Sequence, residues 1–119
     1  MFSELQEQIE VVRELKAIGL LYCAVPNGGK RHRGEAIKLK ASGTVAGVPD
    51  ILIFDAPPNG GAVGTALEMK RADRKMGSVS KAQKYWLAQL EERGWLCLVG
   101  FGADDAFDKL KAAGYKVRF

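Results

Sequence analysis

The chain has 119 residues, of which 47% are hydrophobic and 27% charged, and its formal net charge is +4. This composition fits one globular domain over residues 1–119 and excludes a low-complexity or disordered chain. The basic excess favours an anionic partner. We expect a cytoplasmic protein without a membrane span, since the acidic start is unlike a signal peptide and no apolar run reaches ~18 residues.

Apolar periodicity predicts the elements of the first half. Steps of three and four residues predict a helix over residues 3–18, with Ser3 as its cap. A strand is predicted in "LLYCAVP", followed by a basic exposed loop that holds a short strand at "AIKLK". The runs "VPDILIF" and "GTALEMKR" are separated by Pro and Gly, and we expect them to pair as an antiparallel hairpin.

The residue pattern in the second half of the sequence predicts two more helices. Ser80 begins a helix that runs to about Arg93, and the strand "WLCLVGF" follows it. A third helix in "ADDAFDKLKAAG" leads to a final short strand, "YKVRF". This order predicts an α/β fold with a mixed sheet flanked by helices. Cys23 and Cys97 lie in apolar runs, where thiols usually act as small buried hydrophobes.

A few polar side chains are predicted to point inward from helices. On a helical wheel Glu4 falls within the apolar arc of the first helix, whereas Glu7, Glu10 and Glu14 lie on the other side. In the second helix Gln83 points the same way as the apolar face. Two helices therefore each direct a polar group toward the interior.

The hairpin strands also carry charges in apolar runs. Because strand side chains alternate, Glu68 and Lys70 share one face of their strand. If Asp50 lies next to Glu68 on the neighbouring strand, the two carboxylates repel unless a proton or a cation lies between them. Mg²⁺ typically binds through one or two carboxylates together with water and substrate phosphate. The pattern thus predicts a metal site, with Lys70 placed to orient a water and stabilise negative charge.

These motifs carry a family resemblance. "GVPD", followed after 17 intervening residues by "EMK", resembles the PD-(D/E)xK nuclease signature. With the early helical Glu, "NGGKR" and "SKAQKYWLAQLEERGW", the chain is similar to the VRR-NUC family from about Glu4 to Gly100. The resemblance implies a restriction-endonuclease-like fold and a Mg²⁺-dependent DNA endonuclease, with Mn²⁺ as a substitute. Stand-alone members resemble junction-resolving enzymes, which implies a homodimer that cuts branched DNA such as Holliday junctions.

The resemblance also implies roles for single residues. The metal would be held by the carboxylates of Asp50 and Glu68 and by the main-chain carbonyl of Met69. Glu4 would face the metal directly or through water. The residues implied to act in catalysis are Asp50, Glu68, Lys70 and Gln83.

Basic residues flank this predicted site on both sides in the sequence. They are consistent with a solvated fringe and equally with a clamp for DNA phosphates. The residues are Lys30, Arg31, Arg33, Lys38, Lys40, Arg71, Arg74 and Lys75.

Purely structural roles stay open as alternatives for the predicted site residues. Gln83 fits a capping box with Ser80, and Glu4 fits a first-turn acid favoured by the helix dipole. Glu68 and Lys70 fit a solvated cross-strand face. The functional alternatives are a catalytically idle nucleic-acid-binding module and a flap or end nuclease without junction preference.

Overall fold

The computed structural model describes residues 2–26, 33–73 and 78–119, with only the main chain of residue 33. None of the helices in these ranges is both long and apolar enough to cross a membrane. The elements alternate along the chain in the α/β manner predicted. They are α1 (Glu4–Ala17), β1 (Tyr22–Ala24), α2 (Arg33–Ala41), β2 (Ile51–Ile53), β3 (Thr65–Lys70), α3 (Lys81–Glu92), β4 (Leu96–Phe101) and α4 (Ala103–Ala112).

The four strands in the described ranges form one mixed sheet in the order β1-β2-β3-β4. The predicted hairpin is confirmed, since β2 and β3 are antiparallel with Ile51 opposite Leu67. Strand β4 pairs parallel to β3 after the crossover through α3. Because β2 begins at Ile51, the last three residues of β3 pair with β4 alone among the described strands. One side of β3 is therefore open beside Asp50.

The core lies where α1 and α4 cover the sheet. Val11 and Leu15 of α1 and Leu110 of α4 are fully buried, and every residue of β3 is buried. Helix α4 lies directly against β4 at Gly100, where an added Cβ would be 2.7 Å from the Cβ of Ala106. Burying apolar side chains from both layers gives this arrangement most of its stability.

Two predicted strands are wrong. The run "AIKLK" lies within α2, where Glu35 in the first turn and Lys38 and Lys40 in the last turn match the helix dipole. The run "YKVRF" alternates burial as a strand would, but no described strand pairs with it. Its main chain is held by a side chain instead, because the Arg118 amide donates to Glu14 Oε2 at 2.6 Å.

The outward face predicted for the first helix is also wrong in part. Glu14 is only 1% exposed and pairs with Arg118 at 2.8 Å, whereas Glu4 is exposed. Phe2 and Leu5, which belonged to the predicted apolar stripe, are 56% and 66% exposed. The packed face is centred on Val11 because the sheet covers only the later turns of α1.

The two cysteines differ in their surroundings. Cys97 is partly buried in β4, and burial raises the pKa of its thiol. Cys23 is exposed on β1, a strand at the edge of the described sheet. The prediction that both are buried is therefore wrong for Cys23.

Candidate active site

Asp50 and Glu68 meet at the open side of β3. The pairing of Ile51 with Leu67 places the two carboxylates on adjacent positions of neighbouring strands. Asp50 Oδ2 accepts a hydrogen bond of 2.7 Å from the main-chain N–H of Met69. This bond satisfies an amide of the unpaired edge and holds the Asp50 carboxylate in place.

Glu68 is a buried acid, with 2% of its surface exposed. Its Oε2 atom accepts from Gln83 Nε2 at 2.5 Å and lies 3.5 Å from Lys70 Nζ. Its Oε1 atom is buried and has no hydrogen-bond partner among the described residues. Burial and the adjacent Asp50 carboxylate raise the pKa of Glu68 to about 8. A solvated cross-strand face is thereby excluded for this residue.

Lys70 ends β3 with its side chain enclosed and only 8% of the residue exposed. Its ammonium donates to Gln83 Oε1 at 2.9 Å and forms the ion pair with Glu68. An ammonium has three donors, so one remains available for a water or a substrate oxygen. The Asp50 and Glu68 carboxylates and the Lys70 ammonium therefore lie close together at the end of β3.

Gln83 reaches this region from the first turn of α3. It completes the predicted capping box, since its own amide donates to Ser80 Oγ at 3.2 Å and Ser80 N donates to Gln83 Oε1 at 2.8 Å. It also contacts Glu68 and Lys70, so the inward prediction and the capping-box alternative both hold.

The donor set of this region fits a hard divalent cation. Two carboxylates meet, and one buried oxygen, Glu68 Oε1, lacks a partner in the described part of the chain. The predicted third carboxylate does not join them, because no three His, Cys, Asp or Glu side chains within the described ranges are placed to hold one ion. Glu4 is exposed in the first turn of α1, two turns before Val11 and on the same helix face.

Other predicted site residues have mixed outcomes. The Met69 side chain is fully buried and its main-chain amide donates to Asp50, while the contact of its carbonyl with a metal stays a prediction. Among the basic residues, Lys38 and Lys40 are exposed on α2, and Arg71 is half-buried directly after β3. Four other predicted DNA contacts lie outside the described residues: Lys30, Arg31, Arg74 and Lys75. For Arg33 only the main chain is described.

A residue assigned to the outer face of the first helix also borders this end of the sheet. Glu7 Oε2 accepts a hydrogen bond from the main-chain N–H of Ala103, and Gly102 N donates to Lys70 O at 2.8 Å. Glu7 thereby ties α1 to the start of α4 beside the end of β3. Its four-residue spacing from buried Val11 was the available sequence signal, but the helical wheel placed it on the side away from the apolar stripe.

Comparison with known proteins identifies the family and the fold. A family model described as VRR-NUC domain matches residues 3–100. A solved structure described as "VRR_NUC domain protein" superposes with a TM-score of 0.79 at 23% sequence identity, covering 96% of this chain and 89% of that chain. At this identity the superposition shows a shared fold. No match is found among curated protein sequences.

Proposed function

Because the chain belongs to the VRR-NUC domain family, whose members are generally nuclease domains, we propose that it is a metal-dependent DNA endonuclease that hydrolyses phosphodiester bonds. The observation that carries the proposal is the meeting of Asp50 and Glu68 beside Lys70, with a buried Glu68 oxygen that has no described partner. Two adjacent carboxylates and a buried oxygen without a partner destabilise the fold unless a bound ligand compensates for them.

The protein's oxygen atoms would hold Mg²⁺, or Mn²⁺ in its place. The Asp50 and Glu68 carboxylates would be its direct ligands and the Met69 carbonyl a further contact. Exposed Glu4 would reach the ion directly or through water if the start of α1 came closer to the pair. When bound, such an ion polarises a phosphoryl oxygen and lowers the pKa of a water.

Lys70 supplies positive charge where the reaction develops negative charge. Gln83 and Glu68 restrain its ammonium at 2.9 and 3.5 Å, so its remaining donor is directed rather than free. We assign Lys70 to orienting the attacking water and to stabilising charge on the phosphate.

The basic side chains that flank the site in the sequence would bind DNA phosphates. Lys38 and Lys40 project from α2, an exposed helix that lies between β1 and β2 in the chain. Phosphate contacts position DNA without selecting a base sequence. The enzyme would therefore select DNA by shape.

We assign branched DNA, such as a Holliday junction, as the substrate and a homodimer as the active form. Support for the dimer comes from the start of α1 and the residues just before it, where Phe2, Leu5 and Ile9 are 56%, 66% and 42% exposed. Contiguous exposed apolar side chains typically mark contact surfaces. A two-fold dimer would present one site to each of two strands at a junction. Leu5→Arg should give a monomer in sedimentation experiments, and an unchanged dimer would rule out this surface.

The direct test compares nicking of a four-way junction, a flap and a plain duplex, each with Mg²⁺ or Mn²⁺ and with EDTA. We expect cleavage to require metal, to favour the junction and to be lost in Lys70→Ala. Lys116→Ala removes an exposed lysine and serves as the charge-matched control. Equal rates on all three substrates would remove the junction preference. DNA binding without cleavage in either metal would establish an idle binding module instead.

Variants of the acids separate metal binding from DNA binding. Glu68→Gln should abolish cleavage yet keep or increase DNA affinity, since it removes a metal ligand and a negative charge without touching phosphate contacts. Glu4→Gln should lower activity less, because Glu4 stands apart from the carboxylate pair. Strongly weakened DNA binding in Glu68→Gln would contradict its assignment as a metal ligand.

A further inference from the structure

Three hydrogen bonds determine which way the Gln83 side-chain amide faces, and one of them comes from a main-chain N–H. The Ser80 N–H donates to Gln83 Oε1 at 2.8 Å, and Lys70 Nζ donates to the same oxygen at 2.9 Å. With both donors at the oxygen, the amide nitrogen must face Glu68, where it donates to Oε2 at 2.5 Å. The opposite orientation would place an NH₂ group against two donors and an oxygen against a carboxylate. Only one orientation satisfies all three contacts.

The first turn of α3 is held against the site by a second, independent contact. Gly47, with φ of +93°, lies so close to Ala82 that an added Cβ would be 2.7 Å from the Ala82 carbonyl carbon and oxygen. The main chain at Gly47 therefore packs against the main chain of Ala82, one residue before Gln83. This contact leaves no room for a side chain at position 47. This close approach brings the first turn of α3 against the turn that leads to Asp50 and β2.

We propose that the capping box of α3 is an active-site positioning device and that Ser80, through its main-chain N–H, is the positioning residue. It orients Gln83, whose Nε2 atom donates to Glu68 Oε2 and whose Oε1 atom accepts from Lys70 Nζ. Glu68 Oε1 is thereby left as the oxygen that faces a ligand. The kinetic part of this inference rests on the proposed nuclease function, whereas its structural part does not.

Comparison of Ser80→Pro with Ser80→Ala isolates the amide. Both remove the hydroxyl cap, but only proline removes the N–H, and the Ser80 φ of −72° already suits proline. We expect kcat of Ser80→Pro to be about tenfold below that of Ser80→Ala, the worth of one hydrogen bond, with KM unchanged. Both variants should lose the stability that the hydroxyl cap contributes, and Ser80→Pro should in addition lose that of the hydrogen bond from its N–H.

A double-mutant cycle tests whether the amide acts through Gln83. In a Gln83→Leu background the difference in kcat between the proline and alanine variants should vanish. A tenfold difference that persisted there would show that the Ser80 amide acts by another route, and the proposal would be overturned.

A measurement on metal-free protein is independent of catalysis. The side-chain NH₂ resonances of Gln83 should be shifted from free-amide positions and protected from exchange in the wild type and in Ser80→Ala. They should move toward free-amide values in Ser80→Pro, because one of the two donors to Oε1 is lost. Identical Gln83 resonances in the two variants would overturn the inference.

Gly47→Ala provides a second route if Ser80→Pro does not fold. The added methyl should displace the start of α3, move the same NH₂ resonances and lower kcat, and unchanged resonances would count against the device. If the wild type never cuts DNA but the resonances behave as expected, the proposed function fails and the positioning stands. If the wild type cuts and both Ser80 variants cut equally well, only the positioning fails.

Discussion

The raised pKa of Glu68 makes a specific prediction for the stability of the metal-free protein. In the unfolded chain this acid titrates near its ordinary value of 4.5, and in the fold burial and Asp50 raise the pKa to about 8. Between these values the folded state binds more protons than the unfolded state, so stability falls as pH rises. The contribution is complete below pH 4.5 and is lost as pH passes through 8.

The size of the effect follows from proton linkage. A full proton difference changes the free energy of unfolding by about 1.4 kcal/mol per pH unit. From pH 6 to pH 8 the metal-free protein should therefore lose about 2 kcal/mol as Glu68 begins to ionise. For a domain of this length the loss corresponds to a fall in Tm on the order of 10 °C.

The assay is thermal or urea unfolding at pH 6, 7 and 8 in EDTA, repeated with Mg²⁺. Glu68→Gln should remove this pH dependence, because the amide cannot ionise and its oxygen can still accept from Gln83. Mg²⁺ at 100 times its Kd should restore about 2.7 kcal/mol to the wild type at pH 8 and much less to the variant. Glu92→Gln, which removes an exposed carboxylate of α3, should behave as the wild type does.

Two results would refute this reasoning. The first is a wild-type Tm in EDTA that does not fall between pH 6 and pH 8. The second is a fall that persists unchanged in Glu68→Gln, which would place the titrating group elsewhere in the protein.

Three further predictions concern packing, the C-terminal ion pair and DNA binding. Gly100→Ala should destabilise the fold by about 1–3 kcal/mol in urea unfolding, since its methyl would overlap Ala106, and adding Ala106→Gly should recover part of the loss. The hydrogen bonds from Arg118 lower the pKa of Glu14, so their stabilisation is present above pH 4.5 and lost as pH falls below it. Arg118→Ala should therefore lower Tm at pH 7 more than Arg13→Ala, whose ion pair is exposed, and the gap should narrow in acid. DNA affinity should fall steeply with added salt through counterion release, and a flat salt profile would contradict the phosphate contacts.

The hairpin and the main site pair were predictable because they depend on local rules. Alternation in "ALEMKR" places Glu68 and Lys70 on one face, and the turn-rich connection makes the preceding strand its neighbour. The position of Asp50 beside Glu68 follows from these features. The inward direction of Gln83 likewise follows from helical periodicity on α3.

The errors arose where partners distant in sequence decided the outcome. Glu14 was assigned to solvent because its wheel position opposes the apolar stripe, yet Arg118, 104 positions later, pairs with it and permits its burial. Periodicity also predicted that Phe2 and Leu5 would pack, but the sheet ends before it can cover the first turns of α1.

By itself the sequence determined the periodicity of the strands and helices, the spacing of Asp50, Glu68 and Lys70, and the family. Only the tertiary structure decided that Glu68 Oε1 is buried without a described partner and that Gln83 bridges Glu68 and Lys70. The physical reason is that burial and hydrogen-bond partners depend on which elements meet in space, and periodicity reports only the face that a residue shares within its own element.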